Sequence, residues 1–207
     1  MAFIAEDTGN GGGNFIRILD GSLVRKSETA KEGYEEFNTE NPSTKEPVKY
    51  WIKRANGGVQ GLVTSLERVE IEASKVFGWN LHMEDEEGKF SIFFNDDRTT
   101  TSRLLKTFEN IDLSQEVLIK VFRDKEGHPG ISFTQNGAKV EQKWVGGIEG
   151  NLPQPKKTKG KWDYSGVEEF LYNNAVNNIL PKFATEETTN EAAKAATVGA
   201  SPDDMDY

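Results

Sequence analysis

The sequence predicts a mostly β fold: a small Greek-key barrel with one short helix inserted and a second helix after it. Three observations predict it. Val69, Ile71, Ala73, Phe77, Trp79, Leu81 and Met83 are all odd-numbered, with Glu70, Glu72, Asn80 and His82 between them, which is the period of strand with one buried face. Leu104, Leu105 and Phe108 instead fall at helical spacing behind the capping Thr/Ser run of TTTSRLLKTFENI. Glu84–Gly88, Asp124–Gly130 and the tight-turn pair Asn136-Gly137 punctuate the apolar stretches.

The elements follow in order. Residues 1–12 form a Gly-rich arm, flexible by composition. Phe15 to Val24 (FIRILDGSLV) is rich in β-branched and large apolar residues, with Asp20-Gly21 as a turn or bulge. Residues 27–47 are polar and turn-rich and read as a long loop. Val48 to Lys53 is a short strand ended by Asn56-Gly57-Gly58. The alternating stretch Arg68 to Met83 comes next, then a charged hairpin turn. Phe90, Ile92 and Phe94 return with the same parity. The short helix covers residues 99–111. Val117, Ile119 and Val121 alternate, Ile131 and Phe133 follow, and Val140 to Val145 closes the sheet region. Strand, strand, strand, short helix, strand, strand is the layout of an OB-like five-stranded barrel with the helix between strands 3 and 4. Sandwiches and meanders share that order.

The barrel is therefore expected over residues 13–145. Residues 146–184 begin with GGIEGNLPQPKKTKGKW, a Gly/Pro-punctuated linker with Lys156, Lys157, Lys159 and Lys161 against the single acid Glu149. Ser165 with Glu168 matches a capping box. Val167, Phe170, Leu171, Ile179 and Leu180 then give an amphipathic C-terminal helix ending at Pro181. That helix is too short to be a domain. It packs on the barrel or on a second copy of the chain, which leaves a homodimer open.

The 207 residues contain no Cys and two His, which excludes disulfides, thiolate zinc sites, Cys nucleophiles and multi-histidine metal sites. No apolar run reaches the roughly 18 residues of a membrane span, and the N-terminus shows no signal-peptide pattern, so a cytoplasmic protein is expected. The net charge of −9 divides as −2, −3, +1 and −5 over residues 1–12, 13–145, 146–184 and 185–207. The last segment, TEETTNEAAKAATVGASPDDMDY, has hardly any large apolar group and reads as a disordered acidic tail. The body is nearly balanced, so its charges can segregate into a basic face.

Glu70, Glu72 and Lys75, with Asp96-Asp97, are the residue types of a Mg²⁺-dependent nuclease, since two carboxylates hold the ion and a Lys supports an attacking water. They also fit the solvent positions of a strand and a closing turn. GxSxG, Walker and HExxH patterns are absent. No catalytic residue, metal ligand or cofactor is assigned, and His82 and His128 read as strand and turn residues. Residues 84–87 lack the ligand spacing of a calcium loop.

The stronger signal is aromatic residues beside basic ones. Trp51 neighbours Lys53 and Arg54. Phe93 lies off the parity of Phe90, Ile92 and Phe94. Phe122 lies off the parity of Val117, Ile119 and Val121, with Lys120 and Arg123 beside it. Trp144 follows Lys143, and Trp162 follows Lys161. Rings off the core parity offer stacking surfaces for bases, and the cations beside them neutralise phosphates. Trp51, Lys53, Arg54, Phe93, Lys120, Phe122, Arg123 and Trp144 are therefore the candidate DNA-binding residues. The competing reading is that such rings cover a second core.

The chain ends in Asp203-Asp204-Met205-Asp206-Tyr207. With the strand order and the basic–aromatic clusters, this end resembles the phage-encoded single-stranded-DNA-binding proteins. The resemblance implies an OB-fold that coats single-stranded DNA in replication, recombination and repair. It also implies a tail, here Asp203, Asp204, Asp206 and Tyr207, that recruits replication proteins such as the DNA polymerase. Such a protein is no enzyme and works in the host-cell cytoplasm. A carboxylate- and Mg²⁺-dependent nuclease and a structural adaptor are the alternatives from other classes.

Overall fold

The computed structural model describes residues 14–19, 21–40, 44–71, 76–96, 99–147, 150–158 and 160–183. The arm, the acidic tail with Asp203, Asp204, Asp206 and Tyr207, and Glu72, Lys75 and Asp97 lie outside the described residues. In chain order the strands are β1 (Asn14–Leu19), β2 (Ser22–Ser27), β3 (Glu35–Glu40), β4 (Pro47–Arg54), β5 (Val59–Ile71), β6 (Val76–Asp85) and β7 (Gly88–Asn95). Helix α1 (Thr99–Thr107) runs into a 3₁₀ turn, Phe108–Asn110. After it come β8 (Val117–Arg123), β9 (Pro129–Gln135), β10 (Ala138–Lys139), β11 (Lys156–Thr158) and β12 (Lys161–Asp163). Helix α2 (Ser165–Asn174) widens into a π-helical turn, Ala175–Ile179.

Ten strands form one mixed sheet in the order β10-β9-β8-β5-β6-β7-β1-β2-β4-β3, and β11 and β12 pair separately. Among the described residues, only β1 against β7 is parallel. The OB-like five-stranded barrel is therefore corrected to a larger, open sheet. The physical reason lies at one edge. Closing β5 to β9 into a barrel needs the outer edge of β7 to meet β9, but β1 holds that edge through Asn14↔Phe90 to Arg17↔Phe93. β9 turns away to pair with β8 and β10. The sheet still curls: β2 approaches β8, and the Arg123 side chain lies against Gly21 in the β1–β2 turn.

The curl encloses the main core. Alternating strand residues point to opposite faces. Ile16, Leu23, Leu66, Trp79, Leu81, Met83, Phe90, Ile92, Phe94, Ile119, Ile131 and Phe133 all point inward. Leu104, Leu105 and Phe108 from α1 and its 3₁₀ turn, and Val167, Leu171, Ala175 and Ile179 from the C-terminal helix, cover them. The C-terminal helix thus packs on the body of its own chain. Trp79 and Phe94 are completely buried, and truncating a ring in such a place costs about 3–5 kcal/mol. A smaller cluster, Leu19, Val24, Tyr50 and Ile52 with Phe37 and Val48, occupies the outward face of the β1-β2-β4-β3 wing.

Other expectations shift. Phe15 to Val24 divides between β1 and β2, which is the turn rather than the bulge. The expected loop 27–47 contains β3, an edge strand with three Glu and one large apolar residue, so it carries no hydrophobic run. The alternating stretch 69–83 spans parts of two strands, β5 and β6, paired from Leu62↔Glu84 to Ile71↔Val76. A register shift between Val63 and Ser65 explains why Val63 and Leu66, three apart, are both buried inward. The capping box is also replaced: Ser165 begins α2, and its N–H donates to Asp163 Oδ1 at 3.0 Å. The Asn136-Gly137 turn forms as expected, between β9 and β10.

Candidate nucleic-acid interface

Cross-strand partners share a face, so the strand registers assemble a row across the outward side of the sheet. Arg54 on β4 faces Val24 on β2, Val24 faces Arg17 on β1, and Arg17 faces Phe93 on β7. Phe93 faces Asn80 on β6, and Asn80 faces Glu67 on β5. Phe15, exposed, lies two residues from Arg17 on the same face. Lys26 stands over the Tyr50 ring at 4.3 Å, also outward. Burial raises the Tyr50 phenol above its ordinary 10.0, with the Arg17 charge working against the shift. Arg54 is held by Glu35 at 2.7 Å.

Phe93 lies across Gly78 of the neighbouring strand. A Cβ on Gly78 would meet two Phe93 ring atoms, and the Phe94 carbonyl oxygen, at 2.5 Å. Phe122 repeats this device. Its ring crosses Gly130, its partner on β9, where a Cβ would come within 2.6 Å. Both glycines let a ring lie down on the sheet instead of standing off it. Gln60 pairs with Leu118 on the outward side, so Lys120 and Phe122 belong to the same face as Phe93.

The other expected contacts separate. Trp51 and Lys53 have inward parity, opposite Arg54, because consecutive strand residues alternate. Trp51 is half-buried under Lys49, whose ammonium is 5.3 Å from the ring. Arg123 likewise points away from Phe122, and its guanidinium donates to the Gly127 carbonyl at 2.8 Å. Trp144 packs edge-on against Phe170 and donates from Nε1 to Glu109 at 2.8 Å. That ring is held by α2 and the 3₁₀ turn rather than presented on the sheet. Phe15 and Arg17 are outward residues that sequence reasoning misses, because FIRIL reads as core strand throughout, and Lys26 on β2 is a third. Arg17 between Ile16 and Ile18 is the signal that could have found the first two.

Among the described carboxylate candidates, Asp96 is engaged. Arg68 holds Asp96 at 2.6 Å, and its guanidinium lies over Phe77, Trp79 and Tyr172 at 5.2, 5.5 and 4.5 Å. Glu70 is exposed on β5. The turn at 84–87 closes through Asp85 Oδ1, which accepts the N–H groups of Glu87 and Gly88. Asp124, Glu126 and His128 converge at the β8–β9 turn. There the backbone N–H of His128 is the first cause holding the Asp124 carboxyl below its ordinary 3.8.

His82 joins two groups on the outward face. Its Nδ1 lies 2.7 Å from Ser91 Oγ and its Nε2 lies 3.2 Å from Glu67. The order Ser, His, Glu is that of an activated nucleophile. Ser91, however, is buried in a strand paired on both sides, to β6 and to β1, which leaves its hydroxyl little access to a substrate. The arrangement holds the His82 ring between Ser91 and Glu67.

No protein-family model, no curated protein and no solved structure matches this chain. Among the described residues, no helix is long and apolar enough to cross a membrane.

Proposed function

We propose that the protein binds single-stranded DNA, without catalysis and with little base preference, in replication, recombination or repair. The observation that supports this reading is the outward face itself, where Phe93 and Phe122 each lie across a glycine with Arg17 or Lys120 on the same face. Rings stack on bases of any sequence, and cations neutralise phosphates. A duplex hides its base faces and fits such a surface poorly. The acidic residues Asp203, Asp204 and Asp206, with Tyr207, serve in this reading as the recruiting end for replication proteins such as a polymerase, in a phage-infected or bacterial cytoplasm.

A gel shift with labelled single strands, with and without Mg²⁺, tests the proposal. Retention without shortening supports a binder. Mg²⁺-dependent shortening supports a nuclease, and no retention at low salt removes the reading.

A further inference from the structure

The hairpin β11–β12 stands apart from the ten-stranded sheet. Its register pairs Lys156↔Asp163, Lys157↔Trp162 and Thr158↔Lys161. All six strand residues are exposed. Trp162 is 60% exposed, the highest value among the large apolar side chains of the described residues. Lys157, directly opposite, holds its ammonium 5.8 Å from the centre of that ring.

Two features make this more than a surface turn. A two-stranded hairpin has little stability of its own in water, and one whose largest ring faces solvent gains little from burial. Its charge is also one-sided. Residues 156–163 contain four Lys and one acid. That acid, Asp163, is engaged: its carboxylate accepts the Ser165 N–H at the start of α2 and is held below its ordinary 3.8, chiefly by that bond.

We propose that this hairpin is a second contact for single-stranded nucleic acid, separate from the outward face of the sheet. One base stacks on Trp162, and the flanking phosphates meet Lys156, Lys157 and Lys161. The inference rests on the proposed function and assigns it a further element. Charge selects a polyanion, and the open indole face selects a strand whose bases are unstacked; an acidic peptide meets the first requirement only.

The experiment titrates the full chain with a fluorescein-labelled oligothymidylate at several salt concentrations. The proteins are wild type, W162A, W162F and the triple variant K156A/K157A/K161A. Loss of one stacking ring corresponds to a roughly 5- to 150-fold drop in affinity for W162A. W162F retains most of the affinity. In the triple variant, removing three cations from the phosphates flattens the log–log salt slope by about 2. Melting temperatures stay at the wild-type value. W162A binding like wild type overturns this inference and leaves the proposed function standing. Failure of the wild type to bind overturns both. Equal losses in W162A and W162F with lowered melting temperatures make Trp162 a structural ring and overturn it. Wild-type capture of polyglutamate as tightly as of the oligonucleotide shows a purely ionic finger and overturns it too.

Discussion

The Phe93 ring lies across Gly78, so closely that a methyl group on Gly78 would fall within 2.5 Å of two ring atoms and of the Phe94 carbonyl oxygen. The ring can swing away; the carbonyl is fixed by the β6–β7 ladder. Gly78→Ala is therefore expected to destabilise the fold by about 1–3 kcal/mol, the range for overpacking a close contact. It should also displace the ring and weaken oligonucleotide binding. Thermal melts and titrations of the one variant check both effects.

Phe93 and Phe94 point to opposite faces, which makes them a matched pair of probes. Phe94→Ala empties a completely buried site and should cost about 3–5 kcal/mol of stability. Phe93→Ala should lower stability far less and reduce binding by about 1–3 kcal/mol. Chemical denaturation and fluorescence titration of both variants separate the roles. A large loss of stability in Phe93→Ala would place that ring with the core.

Arg17 and Lys53 distinguish the two faces of the sheet. Arg17 shares the outward row with Phe93, whereas Lys53 pairs with Arg25 on the inward parity. Arg17→Ala should flatten the salt dependence of binding by about 0.7 in log–log slope, one phosphate contact on a single strand. Lys53→Ala should leave the slope unchanged. Equal effects would mean that the strand wraps both faces of the β2–β4 wing.

Much of the sheet was legible because buried positions impose a period. Trp79, Leu81 and Met83 against Phe90, Ile92 and Phe94 define a hairpin and its inward face from local pattern alone, and Leu104, Leu105 and Phe108 define the inserted helix. β3 was invisible because an edge strand of Glu, Asn and Thr has no apolar rhythm. The parallel pairing of β1 with β7 was invisible for another reason. It joins residues more than seventy positions apart, and no local pattern distinguishes that partner from β9. Through that pairing the sheet runs on from β7 into β1, β2, β4 and β3, beyond the five strands of a barrel. For the interface, parity correctly separated Phe93 and Phe122 from the core positions beside them. Proximity in sequence grouped Trp51, Lys53 and Arg54, which alternation divides between the faces.

Asp163 links the hairpin β11–β12 to α2 and predicts an acid response. Its carboxyl is held below the ordinary 3.8, first by the Ser165 backbone N–H, so the bond favours the ionised form. A carboxylate with a lowered folded-state pKa contributes stability that is present above 3.8 and lost as pH falls through the folded value. Helicity of the wild type should therefore decline in the acid range below 3.8. Asp163→Ala, lacking the acceptor, should start lower in helicity and show less of that acid-dependent part. Far-ultraviolet circular dichroism during an acid titration reads both.

The acidic end gives a prediction independent of side-chain geometry. Residues 185–207 carry −5 of the net −9, so the chain 1–184 carries −4. A covalently attached polyanion competes with DNA phosphate for the same cations. Removing it should tighten single-strand binding at low salt and have little effect at high salt, where screening is strong. It should also abolish capture of any replication protein that reads Asp203, Asp204, Asp206 and Tyr207. Indistinguishable affinities at low salt would exclude the competition, and a pull-down decides the recruitment.

The most direct measurement compares one labelled oligonucleotide, as a single strand and annealed to its complement, titrated with the full chain at two salt concentrations. An outward face of rings and cations predicts much tighter binding of the single strand, weakening steeply as salt rises. Equal affinity for the duplex, or affinity that ignores salt, would contradict it.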